Sequence, residues 1–101
     1  MRLPTHIHEK RSQHLKSSAV QRKNLRDFLA RVRASGFRLQ AFDNGEYEYL
    51  HGNSNIRLRV WSGGYDLRAG KEEQWLRSFD YTALWANLAA QLVRLGIEVR
   101  T

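Results

Sequence analysis

The sequence predicts a two-layer α+β domain: an antiparallel meander of three to five strands, with one helix before it and one after it, both packed on the same face. Three observations carry that prediction. Leu25, Phe28, Leu29 and Val32 recur at i, i+3, i+4 and i+7, the stripe of a half-buried helix, and Gly36 follows where such a helix ends. From Phe37 onward, short alternating runs are separated by Asp43-Asn44-Gly45, by His51 to Asn55 and by Ser62-Gly63-Gly64, each rich in turn-forming residues. Leu84, Trp85, Leu88, Leu92 and Leu95 then return to helical spacing and stop at Gly96. Strands grouped between two helices, rather than alternating with them, favour α+β over a parallel α/β sheet.

The elements follow in order. Residues 1–16 read as a basic N-terminal arm, with Pro4 set against helix before Thr5, and 17–101 as a single α+β domain. Ser18, with Gln21 three residues on, offers a capping box for the first helix. Phe37, Leu39 and Ala41 alternate with Arg38, Gln40 and Phe42 in the first strand. Asn44-Gly45 accepts the positive φ angles of a tight hairpin, and Glu46 to Leu50 returns as the second strand. In the third, Ile56, Leu58 and Val60 share one face and Arg57, Arg59 and Trp61 the other. Tyr65 to Arg68 is the fourth, Ala69 to Glu73 a polar loop, and Gln74 to Phe79 either a fifth strand or the approach to the last helix. Asp80 caps that helix, and Ile97 and Val99 alternate into a short terminal strand or tail.

Charge is the most informative functional signal. The chain of 101 residues has a net charge of +7, and residues 1–33 hold all of the excess, while cations and acids balance in the remainder. Such asymmetry points to a polyanionic partner. Lys10, Arg11 and Lys16 on the arm and Arg22, Lys23, Arg26 and Arg33 on one flank of the first helix form a surface suited to phosphates. Arg57, Arg59 and Trp61 could add a stacking platform for unpaired bases, although Glu46 and Glu48 on the neighbouring strand could instead engage the arginines in cross-strand ion pairs.

Other chemistry finds less support. The chain contains no cysteine, which excludes disulfides and thiolate metal sites and fits a reducing compartment. His6, His8 and His14 lack the further ligand a metal site needs. His51 could serve a nuclease as general base, but no accompanying catalytic pattern surrounds it. Gly63-Gly64 does not open a helix, so it is no phosphate loop, and the expectation is no catalytic set, no metal and no cofactor. No apolar run suits a membrane span, and Met1 to Lys16 lacks the hydrophobic core of a secretory signal, so the expected location is cytoplasmic.

The order of elements from Leu25 to Ile97 loosely resembles the helix–three-strand–helix plan of double-stranded-RNA-binding domains. Gly36-Phe37-Arg38-Leu39 with the late Leu95-Gly96-Ile97 is also similar to small HicA-type toxins of that fold. Those toxins carry Gly-Ser-His on the hairpin where this chain has Gly45-Glu46-Tyr47. The RNA-binding domains carry lysines where it has Asp80-Tyr81-Thr82-Ala83, so no functional residue transfers.

The leading reading is a non-catalytic protein that binds DNA or RNA through the arm and first helix. A second is a small phage- or plasmid-type interaction module docking on an acidic surface of a host protein, with exposed aromatics as anchors. A third is a small toxin-like ribonuclease. If Tyr65 to Arg68 forms a sheet edge, its unpaired backbone could also join a second copy into a homodimer.

Overall fold

The computed structural model describes the backbone of residues 3–52 and 55–100, and the side chains of residues 19–52 and 55–100. The order is α1 (Leu3–Ala34), β1 (Phe37–Asp43), β2 (Glu46–His51), β3 (Ile56–Trp61), β4 (Gly64–Ala69), β5 (Glu72–Arg77) and α2 (Tyr81–Arg94). The five strands form one sheet in the order β1-β2-β3-β4-β5, with every neighbouring pair antiparallel. The α+β architecture is therefore that expected, with the fifth strand present.

Local chemistry accounts for most boundaries. Asn44 (φ 52°) and Gly45 (φ 77°) both occupy the left-handed region, which closes the β1–β2 hairpin with a twist matching its strands. Asp80 caps α2, its carboxylate accepting from the Thr82 and Ala83 amides at 3.1 and 3.2 Å. Residues 97–100 form no strand. Instead Ile97 is buried, and the Arg100 amide donates to Ser35 Oγ at 3.4 Å, which ties the end of the chain to the end of α1.

Three expectations need correction. The first helix does not begin at Ser18; it runs from Leu3, through the stretch read as an arm. Pro4 falls in its first turn, where a missing N–H breaks no helical hydrogen bond. The polar loop expected from Ala69 to Glu73 is only a tight turn at Gly70-Lys71, because Ala69 pairs with Glu72 across the β4–β5 hairpin. And β4 is internal, between β3 and β5, so the edges open to a second copy are β1 and β5.

Both helices cover one face of the sheet. Phe28, Leu29 and Val32 of α1 and Leu84, Trp85, Leu88 and Leu92 of α2 form one core with Tyr49, Leu58, Val60, Tyr65 and Leu67. Two core tyrosines keep a polar tip satisfied: Tyr65 donates to Asn87 Oδ1, and Arg33 reaches the Tyr49 hydroxyl at 3.5 Å. Burial pushes the Tyr65 phenol up to about 12. It also raises that of Tyr49, where the Arg33 hydrogen bond works the other way. Among the described residues no helix is long and apolar enough to cross a membrane.

The β1–β2 ladder carries one irregularity. Leu39 pairs with Tyr49 but Ala41 pairs with Glu48, so Gln40 is an extra residue, a β-bulge. Simple alternation sets Phe42 opposite to Leu39. The bulge reverses this and brings the Phe42 ring beside Tyr47 on the helix-bearing face, at a centroid separation of 4.5 Å.

Candidate nucleic-acid interface

The flank of α1 that faces away from α2 forms one wall of a groove of about 520 Å³, and Tyr47 of β2 stands opposite. Helical geometry brings Arg22, Arg26 and Arg33 onto this flank next to the buried Leu29 row, and Lys23 lies further round. All four cations expected from the helix thus line one concavity, whose apolar lining is Ala19, Leu25, Leu29 and Tyr47. Among the described residues no acid lines it. Lys23 is held 3.2 Å from Asp27 across one helical turn, an exposed pair of little strength. Arg22 and Arg26 make no ion pair with the described residues. The side chains of Lys10, Arg11 and Lys16, and those of His6, His8 and His14, lie outside the described residues.

The opposite, helix-free face of the sheet has another character. Arg57 and Arg59 are exposed there, with Glu48 and Asp66 flanking Arg59 in register on either side. Neither arginine comes within ion-pair distance of an acid among the described residues. Arg68 does, at 2.9 Å from Glu73 and 3.5 Å from Asp66. Trp61 is partly buried. Its indole lies over Gly64, across the β3–β4 pair, so close that a Cβ added there would sit 2.5 Å from the ring. Cations and acids alternate over this face, which weakens its field for a polyanion compared with the acid-free groove.

Asp66 is a costly member of that network. Burial raises its carboxyl above the usual range, Glu73 adds to the rise and Arg68 opposes it, while Oδ1 has no hydrogen-bond partner among the described residues. A group whose pKa is higher in the folded than in the unfolded chain stabilises fully below its unfolded value, and that contribution is lost as pH rises through its folded value. Asp66→Asn is therefore expected to raise the thermal midpoint at pH 7 and to raise it less at pH 4. A drop at pH 7 would mean that the Arg68 contact outweighs the burial cost.

His51 packs edge-on against Phe37 at 5.0 Å, and its ring closes over Gly36, where an added Cβ would meet Nε2 at 2.9 Å. Its visible work is to seal the turn between α1 and β1. Sequence reasoning missed Tyr47 as a wall of the groove and Phe42 as its neighbour. The adjacency of two aromatics across an Asn-Gly hairpin was the available signal; alternation with Tyr49 sets Tyr47 on the helix side, and the bulge brings Phe42 there with Leu39.

Comparison with family models, with curated proteins and with solved structures finds no match to this chain, so its geometry alone carries the functional reading.

Proposed function

We propose that this two-layer α+β protein binds nucleic acid without acting on it chemically. Its phosphate-contacting residues would be Arg22, Lys23, Arg26 and Arg33, with Lys10, Arg11 and Lys16 as further candidates earlier in the sequence. The observation that supports this most is the convergence of four cations on one acid-free groove. Arg57, Arg59 and Trp61 stay as secondary candidates on the other face.

The test is a binding titration against short DNA and RNA at two salt concentrations. Four phosphate contacts on a single strand release enough counterions to cut affinity about 50-fold between about 50 and 200 mM salt. Arg22→Glu with Arg26→Glu removes two contacts and adds two repulsions, and is expected to weaken binding at least about 100-fold at the lower salt. Both side chains are exposed, so the fold should survive, which circular dichroism checks. Unchanged affinity in the double variant would remove α1 from the interface.

A second reading, docking on an acidic protein surface, draws on Trp75 and Phe79, which are 62% and 61% exposed. It differs in its expectation: Trp75→Ala would abolish partner binding and leave nucleic-acid affinity untouched.

A further inference from the structure

Resting on the nucleic-acid reading above, we propose that the ligand of the α1 groove is a single strand, with one or more unpaired bases stacked on the Phe42–Tyr47 pair. Phe42 is 56% exposed, an unusual position for a phenylalanine that the chain redirects through a bulge. Its ring lies 4.5 Å from that of Tyr47, tilted by 42°, and Tyr47 is itself a wall of the cationic groove. Leu39, 50% exposed, continues the apolar surface along β1. Tyr47 thus joins the exposed Phe42 ring to the cationic groove.

A single strand suits this arrangement and a duplex does not. In a single strand the backbone can follow Arg22, Arg26 and Arg33 while the bases turn towards the sheet and offer their faces. In a duplex those faces are covered by neighbouring bases, so only phosphates would be read and the aromatic pair would gain nothing. Because β1 is a sheet edge, no further strand blocks the approach from Phe42's side. An acidic peptide would use the cations but has no equivalent of the base face. DNA and RNA share the relevant chemistry, a flexible polyanion with unpaired bases.

The experiment is fluorescence anisotropy at about 50 mM salt with labelled oligonucleotides of about 12 nucleotides: single-stranded RNA, single-stranded DNA, the DNA duplex, and an abasic strand of equal charge. The proteins are the full chain, Phe42→Ala and Phe42→Trp, with folding checked by circular dichroism. The expected result is single-strand affinity at least about tenfold above that for duplex and abasic strand. Phe42→Ala should lose about tenfold on single strands only, the size of one lost base stack, and Phe42→Trp should retain it. The RNA and DNA arms then identify which single strand is preferred. Equal affinity for abasic and natural strands, or a Phe42→Ala loss that is absent or identical on every ligand, overturns the stacking proposal and leaves phosphate binding by α1 standing. Failure of the unmodified protein to bind any of the four overturns both.

Discussion

Trp85→Ala is expected to cost about 3–5 kcal/mol of folding stability. The indole is buried where the two helices meet. Phe28 of α1 packs edge-on to it at 5.6 Å with the rings at 89°, and the Arg31 guanidinium sits 5.8 Å from its centre. Truncation removes the transfer free energy of a large aromatic, leaves a cavity that two helices cannot both close, and strips Arg31 of its cation–π partner. A domain of this size holds only about 5–15 kcal/mol in total. The urea midpoint should fall by about 2 M, given slopes of about 1–3 kcal/mol per molar. Far-UV circular dichroism is the right probe, since the substitution removes a fluorophore. Trp75→Ala is the internal comparison: that indole is exposed on an edge strand, and its loss should stay within about 0.5 kcal/mol. Equal losses at the two tryptophans would mean that Trp85 does not seat α1. Because α1 carries the basic groove, the proposed nucleic-acid binding, if present, should weaken in Trp85→Ala in proportion to the unfolded fraction.

That contrast between two tryptophans was partly legible in the sequence. Trp85 falls on the stripe of Leu84, Leu88 and Leu92, and a helix that buries one face writes its periodicity plainly. The Asp80 cap and the Asn44-Gly45 hairpin were legible for the same kind of reason, as local backbone chemistry that depends on few neighbours. Strand β5 was harder to read. Along Glu72–Arg77 only Leu76 is partly buried, so an edge strand held by backbone hydrogen bonds leaves no alternation to see.

The groove was half legible. Its helical wall follows from the spacing of Arg22, Arg26 and Arg33, because turn geometry alone sets their flank. Its other wall was legible in part: Tyr47 shares the face of the buried Tyr49 by simple alternation along β2, whereas Phe42 joins it there only through the one-residue slip at Gln40. A bulge is decided by how the whole pair of strands twists and pairs, and Leu-Gln-Ala carries no mark of it. The start of α1 was misread for a related reason. Ser18 and Gln21 have the chemistry of a capping box, but in a helix already begun at Leu3 their local preference is overridden.

The second large effect is expected at the β3–β4 turn. Gly64→Ala should cost about 1–3 kcal/mol, the range for forcing extra volume into a filled space. The new Cβ would meet Trp61 Cε2 and Nε1 at 2.5 Å, so the indole or the strand must move. Next to it, Gly63 is boxed in from the other side. Its φ is +81°, its amide donates to the Tyr81 hydroxyl at 2.8 Å, and a Cβ there would lie 2.6 Å from the Phe79 ring. The turn therefore has little freedom to yield, and the strain falls on Trp61. A double-mutant cycle isolates it: Gly64→Ala with Trp61→Ala should be less destabilising than the two single losses added, by about 1–2 kcal/mol, because removing the indole vacates the space the methyl needs. The cycle also bears on function. A large coupling means that Trp61 is committed to covering Gly64 and is not free to stack on a ligand between Arg57 and Arg59. A neutral Gly64→Ala would mean that the indole swings aside at no cost. Trp61 could then stack on a ligand between the two arginines, and both faces of the sheet would compete for the same strand.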